Sequence, residues 1–285
     1  MMRAFAGGIG PAKTVIETEK GRRNTMKKKL AVLLALALVA VFSVSLAENT
    51  DRLSQIKERG YITIATEGDW APYTYHDESN ALVGYDVEIG QAIAEYLGVE
   101  ARFNEAPWDS ILAGVEAGRF DIACNGVSYT PERAEKYNFS TPYLYTPSVL
   151  VVKDDNEQIK TVDDLKGKKT ANTISSIYAG IAEEYGAEVA GVDTLADTIQ
   201  QVIQGRVDAT INAKVSIEDY LKEHPDSPIK IVQYLDGDIN VFPVQKNEST
   251  DTLLAAVNEA LQAMRDDGRL AELSMKYFDA DLTNP

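Results

Sequence analysis

The sequence predicts an α/β protein of two lobes, each built on a mostly parallel sheet flanked by helices. Beyond residue 50, short β-branched segments alternate with amphipathic stretches of helical length, a series typical of parallel sheets with right-handed crossovers. An extended apolar segment at 143–153 is too long for one ordinary strand and suits a crossover between lobes. Polar loops follow several predicted strands, at the edge where open α/β sheets bind ligands.

The first 47 residues are not expected to belong to the fold. A basic run at 27–29 precedes an apolar stretch at 30–42 and the small-x-small sequence Ser45-Leu46-Ala47, which is the pattern of a secretory signal. We predict a signal peptide at 26–47, cut after Ala47, and hence a periplasmic protein. The alternative, a membrane anchor, would need about 20 apolar residues, and this apolar stretch is shorter. Residues 1–25 precede a complete signal and are expected to be a spurious extension.

The composition excludes several classes of function. The first 47 residues hold 8 of the 28 basic and 2 of the 44 acidic residues, so 20 basic and 42 acidic residues remain. This acidity argues against binding to nucleic acid or to an anionic membrane. The single cysteine, Cys124, is expected in the core, and His76 and His224 are too far apart in sequence to indicate a metal site. We expect no metal and no cofactor.

Hydrophobic periodicity defines the elements in order. A helix at 87–97 is predicted to have Asp86 as its cap and Gly98 as its stop. The predicted boundaries are 48–145 with 239–285 for the first lobe and 146–238 for the second, with hinge pivots near 145–147 and 237–239. Further strands are predicted at 61–65, 99–104, 120–124, 170–174, 188–192, 207–211, 229–234 and 240–244, and further helices at 53–60, 108–117, 176–185, 194–204, 215–222 and 251–267, with a last one ending at 278.

The loop after the strand at 120–124 carries the first candidate site. Asn125 and Gly126 begin it, Gly126 lets backbone approach a ligand, Ser128 offers a hydroxyl, and Arg133 offers a planar fork of donors that matches a carboxylate. The same stretch is also typical of a polar loop that caps a helix, with Thr130 as the N-cap and Arg133 in solvent. The spacing alone does not choose between a carboxylate cradle and a cap.

Four motifs together resemble one known family. They are Gly-Tyr-Asp-Val-Glu-Ile at 84–89, Gly-Arg-Phe-Asp at 118–121, Thr-x-x-Arg at 130–133 and Phe-Ser-x-Pro-Tyr at 139–143. The stretch 56–278 is similar to the polar-amino-acid family of periplasmic solute-binding proteins, which feed ATP-driven importers. The resemblance implies the two-lobed type II periplasmic-binding-protein fold, an amino-acid ligand, a membrane permease as partner, and no catalysis. We expect a monomer.

The resemblance also assigns roles in the first lobe. It implies that Arg133 holds the ligand α-carboxylate and that Trp70, in the loop after the strand at 61–65, stacks on the ligand. Trp108 opens a helix at another strand end, so the two indoles are predicted to flank the ligand. The alternative is that these indoles simply fill the core.

In the second lobe, Thr173 and Ser176 stand where a helix N-terminus presents free amides, and Asn212 stands at a further strand end. Many relatives have an aspartate at the position of Ala213 that binds the α-ammonium, and this sequence lacks it. Glu67 is then the best carboxylate for that group, with Asp69 second.

The stretches 171–179, 208–213 and 242–244 are most similar to the cystine-binding branch of the family. Small residues such as Ala213 would leave room for the distal half of cystine. Ile177, with Thr173 and Ser176, is among the residues predicted to contact the ligand. Lys214 departs from that branch, so glutamine or glutamate stays an alternative ligand. The alternative class is an enzyme on the same fold, a dehydratase of small carboxylic acids with Glu67 as general acid.

Overall fold

The structure is a computed structural model that describes residues 51–285. The predicted extension at 1–25 and the signal peptide at 26–47 lie outside these residues. Within the described part, no helix is both long enough and apolar enough to cross a membrane.

Lobe 1 is built on a three-stranded parallel sheet in the order β5-β1-β6, with β1 in the centre. Helix α2 packs on this sheet, and α8 and α9 return from the end of the chain to pack near it. A small antiparallel meander, β2-β3-β4, leaves the end of β1. The elements up to the crossover are α1 (Arg52–Arg59), β1 (Tyr61–Thr66), β2 (Asp69–Trp70), β3 (Thr74–His76), β4 (Leu82–Val83), α2 (Tyr85–Leu97), β5 (Glu100–Glu105), α3 (Trp108–Glu116), β6 (Ile122–Ala123), α4 (Pro131–Ala134) and β7 (Tyr137–Phe139).

Lobe 2 is built on a five-stranded sheet in the order β10-β9-β11-β8-β12. Strands β9, β10 and β11 are parallel, as their alternation with helices predicts, but β8 is antiparallel to both of its neighbours. The remaining elements are β8 (Leu144–Lys153), a 3₁₀ helix (Val162–Leu165), β9 (Lys169–Asn172), α5 (Ile177–Glu184), β10 (Glu188–Gly191), α6 (Leu195–Ile203), β11 (Ala209–Ala213), α7 (Lys214–Glu223), β12 (Ile229–Asn240), β13 (Pro243–Gln245), α8 (Asp251–Asp266) and α9 (Arg269–Phe278).

The two strands predicted at 229–234 and 240–244 exist with other bounds, because the first runs on to Asn240 as one strand of 12 residues and the second begins only at Pro243. The strand keeps pairing with β8 by shifting register twice, between Ile231 and Gln233 and between Tyr234 and Gly237. Such irregularities bend and twist a strand without ending it. The polar and glycine residues at 236–238 predict a turn, and here they form the irregular part of a continuous strand.

The two crossovers between the lobes run side by side. Tyr145, Thr146 and Pro147 of β8 pair with Ile239, Asp238 and Gly237 of β12, respectively. The predicted lobe boundaries and hinge pivots therefore fall on one antiparallel ribbon; the boundaries themselves stay predictions.

Lobe 1 also depends on a buried carboxylate at the edge of its sheet. The Asp121 side chain is fully buried and accepts from Arg52 Nε at 2.6 Å, from Arg59, and from the backbone nitrogen of Thr63 at 2.6 Å. Helix α1 is thereby fixed to the sheet. The strand predicted at 120–124 is only two residues long, although the backbone nitrogens of Asp121 and Cys124 on either side of it also donate to Thr63 O and Ala65 O.

We expect Asp121→Ala to lower the free energy of unfolding by about 3 kcal/mol, since removing one partner of a buried ion pair leaves the other charges uncompensated. Urea unfolding followed by tryptophan fluorescence measures this loss. The matched control is Glu100→Ala, which removes a surface pair with Arg102 whose side chains are 61% and 49% exposed and should leave the free energy of unfolding nearly unchanged. Equal losses in the two variants would contradict the role of Asp121.

Candidate ligand-binding cleft

A cleft between the two lobes collects nearly all of the predicted site residues. It encloses about 580 Å³ of space between the lining atoms, part of it open to solvent. Of the predicted residues, only Asn125 is absent from its lining. The predicted residues that line the cleft are Glu67, Trp70, Trp108, Gly126, Ser128, Arg133, Thr173, Ser176, Ile177 and Asn212, and the second-choice carboxylate Asp69 joins them.

Asn125 lies directly behind the lining and holds Glu67. Its Nδ2 donates to Glu67 Oε2 at 2.6 Å, and its Oδ1 accepts from the backbone nitrogen of Glu67 at 2.7 Å. The two loops that follow β1 and β6 are thus joined at the carboxyl edge of the sheet. The structure therefore places Asn125 as a support for Glu67 and not on the cleft wall.

Side chains hold both the backbone nitrogen and the backbone carbonyl of Gly126. Its backbone nitrogen donates to Asp86 Oδ2 at 2.6 Å, and its carbonyl accepts from Asn240 Nδ2 at 2.8 Å. Its φ is +55°, and a Cβ here would lie 2.7 Å from a ring carbon of Trp70. Glycine is needed because both the backbone conformation and the space exclude a side chain.

The prediction that Asp86 caps α2 was wrong. The helix begins at Tyr85, after Gly84, and Asp86 is completely buried in its first turn. Tyr143 Oη donates to Asp86 at 2.8 Å, on the carboxylate that also holds Gly126. Burial raises the pKa of Asp86 to about 7 although these hydrogen bonds favour the charged form. An aspartate at a helix start usually predicts a cap, and only the tertiary contact reveals the other role.

The two interpretations of the loop at 125–133 are both correct in part. Thr130 Oγ1 accepts from the backbone nitrogen of Arg133 at 3.1 Å, so Thr130 is the N-cap of α4, with Pro131 as its first residue. The side chain of Arg133 nevertheless turns to the cleft wall and not to solvent. The short helix therefore orients the guanidinium.

Arg133 is held by carbonyl groups. Its Nη1 donates to Ser128 O at 2.9 Å and its Nη2 donates to Ser175 O at 3.1 Å. Its guanidinium carbon lies 5.3 Å from the centre of the Trp108 ring. Among residues 51–285, no carboxylate lies within ion-pair distance of Arg133, and burial lowers its pKa. The cleft therefore contains a partly desolvated cation that no carboxylate of residues 51–285 contacts directly, although the charge of Asp238 acts on it from further away.

The two indoles lie in different surroundings. Trp70, on β2, is half-buried and stacks on Tyr73 with ring centres 4.4 Å apart. Trp108 is 8% exposed and packs with Ile111 and Val115 in an apolar cluster, while its Nε1 is buried without a partner. Trp70 thus fits a flat wall of the cleft. Trp108 is both a core residue, as the alternative interpretation expects, and a lining residue with an unused donor.

Acidic groups dominate the lobe 1 wall apart from Arg133. Burial raises the pKa of Glu67 to about 7, opposed by the hydrogen bond from Asn125, and the nearby charge of Asp69 raises it further. Burial also raises the pKa of Asp69. A cation placed beside Glu67 would reverse this shift, because an opposite charge favours the ionised carboxylate.

The lobe 2 wall includes residues that the sequence interpretation missed. Ser176 caps α5 by accepting from the backbone nitrogen of Ala179 at 3.2 Å, and Asn212 Oδ1 accepts from the backbone nitrogen of Ala213 at 2.9 Å, so both side chains are partly engaged in local structure. Each missed residue follows or ends a strand, or lies in a helix after it, so strand-end position was the available signal. The missed lining residues are Asn172, Tyr178, Asp193, Thr194, Leu195 and Thr198.

Two contacts to Ser175 join the lobes across the cleft. Its carbonyl accepts from Arg133, and its hydroxyl donates to Asp109 in the first turn of α3. Since Ser175 belongs to lobe 2 and both partners belong to lobe 1, these contacts need the lobes to be close together. Within residues 51–285, no group of His, Cys, Asp and Glu side chains is arranged to hold a metal ion.

Comparison with known proteins agrees with this geometry. Residues 62–280 match the family described as bacterial extracellular solute-binding proteins, family 3. A probable amino-acid ABC transporter-binding protein of Haemophilus influenzae is 38% identical, with 90% of this chain and 99% of that protein covered. The L-cystine-binding protein TcyA of Bacillus subtilis is 36% identical, with 90% and 100% covered.

Two solved structures bear on the state of the cleft. An ancestral arginine-binding protein bound to arginine is 32% identical and has a TM-score of 0.72, with 77% of this chain and 99% of that chain covered. The L-cystine solute receptor of Neisseria gonorrhoeae, unliganded and open, is 38% identical but has a TM-score of only 0.56, with 82% and 99% covered. Of these two, the arginine-bound structure has the less similar sequence but the more similar structure. On the family match over 62–280 and on these identities, the chain belongs to the family 3 bacterial extracellular solute-binding proteins.

Proposed function

We propose that this protein is a non-enzymatic periplasmic receptor that binds an amino acid, with cystine as the first candidate, and delivers it to the permease of an ABC importer. The observation that carries the proposal is Arg133, a partly desolvated guanidinium in the cleft with no carboxylate within ion-pair distance in residues 51–285. A planar donor fork of this kind matches a ligand carboxylate. The receptor acts as a monomer after cleavage behind Ala47.

The site residues are proposed in these roles: Arg133 and the backbone around Gly126 and Ser128 hold the α-carboxylate, and Glu67 holds the α-ammonium. Trp70 covers the ligand from the meander side. Thr173, Ser176, Ile177 and Asn212 close the site from lobe 2. Because no aspartate stands at the position of Ala213, Glu67 is the best alternative carboxylate. The pKa of Glu67 is raised, as expected for a buried carboxylate with no cation beside it.

Cystine is favoured by the two relatives whose names state it, and glutamine or glutamate are the alternatives. Titration calorimetry under non-reducing conditions with cystine, glutamine, glutamate, arginine and histidine tests the proposal, together with native mass spectrometry of ligand retained through purification. Tightest binding of another amino acid would overturn cystine alone. Binding of none would overturn the receptor proposal.

A dehydratase of small carboxylic acids is the second candidate, because Glu67 has a pKa of about 7 and could donate a proton near neutral pH. Incubating the protein with a panel of small hydroxy carboxylic acids and looking for their dehydrated products by mass spectrometry separates the two classes. We expect no turnover.

Arg133→Ala should weaken amino-acid binding by roughly 2–5 kcal/mol, because a charge-assisted bidentate pair in a desolvated cleft loses one partner. Arg133→Lys should restore little, since a point charge cannot reproduce the fork. Calorimetry measures both, and Arg119→Ala, which removes a guanidinium outside the cleft lining, serves as the control. Either Arg133 variant within twofold of wild type would sink the assignment.

Binding should strengthen with pH if Glu67 holds an ammonium group. With a pKa of about 7 in the free cleft, the carboxyl must release a proton on binding, so affinity should be about tenfold weaker at pH 6 than at pH 8. In the free protein the same shift contributes stability that is present below pH 4.5 and is lost as the pH rises through about 7. Glu67→Gln should flatten the binding profile and remove only the Glu67 contribution from the stability profile, because the raised pKa of Asp86 gives a further contribution over the same pH range. Calorimetry in buffers of different ionisation enthalpy counts the proton; a wild-type profile as flat as that of the variant would contradict the role.

Ligand release should open the cleft by rotation about the paired crossovers at 145–147 and 237–239. We expect the radius of gyration from small-angle scattering to fall when ligand is added to ligand-free protein. Arg133→Ala at the same ligand concentration is the control and should stay open. An unchanged radius for the wild type at saturation would count against hinge closure.

A further inference from the structure

The lobe 2 wall of the cleft has no basic side chain among its lining residues. These ten residues are Asn172, Thr173, Ser176, Ile177, Tyr178, Asp193, Thr194, Leu195, Thr198 and Asn212. Together with Glu67 and Asp69 from lobe 1, the lining holds three carboxylates and one guanidinium. A simple zwitterion needs one partner of each sign, so the lining has more acceptors of positive charge than such a ligand would use.

Asn172 supplies a specific acceptor in this wall. The residue is 1% exposed, its Nδ2 donates to Ile211 O at 2.7 Å, and its Oδ1 is buried without a partner. The orientation of the amide is fixed, because a carbonyl such as Ile211 O can only accept and must face the amide nitrogen. Buried carbonyl groups are nearly always paired. The unpaired oxygen of a cleft residue therefore indicates a missing N–H or O–H donor.

Asp193 lies at the same sheet edge as Asn172. Asn172 pairs with Gly191 across β9 and β10, and its carbonyl accepts from the backbone nitrogen of Val192 at 3.2 Å. Asp193 follows immediately and lines the cleft. Burial raises the pKa of Asp69 in lobe 1, and the charges of Glu105 and of Asp197 in lobe 2 add to that shift. Acidic groups of both lobes thus act on one region of the cleft.

We propose that Asn172 and Asp193 form a distal subsite that takes a cationic N–H group, a primary ammonium or a guanidinium, at the end of the ligand opposite the carboxylate held by Arg133. The inference rests on the proposed amino-acid receptor and narrows its ligands to those with two nitrogen cations, such as cystine or a basic amino acid. Glutamate is disfavoured, because it would bring a second carboxylate to Asp193 and to an unpaired carbonyl oxygen without the ammonium group that accompanies the distal carboxylate of cystine.

Two pairs of probes test the subsite by calorimetry. Cystine is compared with S-(2-carboxyethylthio)-L-cysteine, which keeps the distal carboxylate and lacks the distal ammonium. Lysine is compared with norleucine, which lacks the ε-ammonium, and glutamate completes the panel. In at least one pair the member with the distal ammonium should bind about tenfold or more tightly, as expected for a charge-assisted hydrogen bond.

The preference for the probe with the distal ammonium should fall to within about threefold in Asp193→Asn and in Asn172→Leu. Asp163→Asn, which removes an exposed carboxylate of lobe 2 outside the cleft lining, should keep the wild-type preference. Thermal unfolding checks each variant, and if Asn172→Leu does not fold, the exposed Asp193 decides.

Three results would overturn the subsite and leave the receptor standing. They are a wild-type affinity ratio near one between probes with and without the distal ammonium, a ratio unchanged in Asp193→Asn, and tighter binding of glutamate than of every ammonium probe. If none of the probes binds, the subsite fails, and the receptor proposal fails as well only if glutamine, arginine and histidine also do not bind.

Discussion

The site depends on keeping one cation partly out of water with no carboxylate of the described residues in direct contact, although the charge of Asp238 acts on it from further away. Arg133 is oriented by carbonyl oxygens on both lobes and by the face of Trp108, and no carboxylate of the described chain neutralises it by direct contact. Carbonyl dipoles compensate a buried charge only partly. A ligand carboxylate would supply the charge partner that Arg133 lacks in direct contact. The free energy lost by desolvating Arg133 would then be regained on binding, which favours both ligand binding and the closed state.

Much of lobe 1 serves to hold that arrangement still. The carboxylate of Asp86 fixes Gly126 from one side and Asn240 fixes it from the other, while Asn125 fixes Glu67. Asn240 ends the crossover strand β12, so the cradle is tied to the ribbon on which the lobes turn. Lobe 2 reaches the same cation through Ser175. If Arg133 also holds the ligand carboxylate, closure and ligand recognition share one guanidinium, which would couple the motion of the lobes to occupation of the site.

The sequence was sufficient to predict the alternation of strands and helices, the fold, and most of the residues brought together at the cleft, because strand-end position and residue chemistry are local properties. It was insufficient where long-range contacts decide the outcome. Asp86 looks like a cap until Tyr143 and Gly126 are placed beside it, and residues 236–238 look like a turn until β8 pairs with them. Nothing in the sequence singles out Asn172. Its unpaired oxygen becomes evident only in the structure, where the amide nitrogen donates to Ile211 O and the amide oxygen has no partner.

The central claim concerns where a ligand carboxylate lies, and a crystal structure of the protein with its retained or added ligand tests it most directly. The account predicts a closed cleft with both carboxylate oxygens about 3 Å from the guanidinium nitrogens of Arg133. It also predicts a ligand nitrogen beside Glu67. A ligand whose carboxylate contacts other groups while Arg133 keeps only its carbonyl partners would contradict the account.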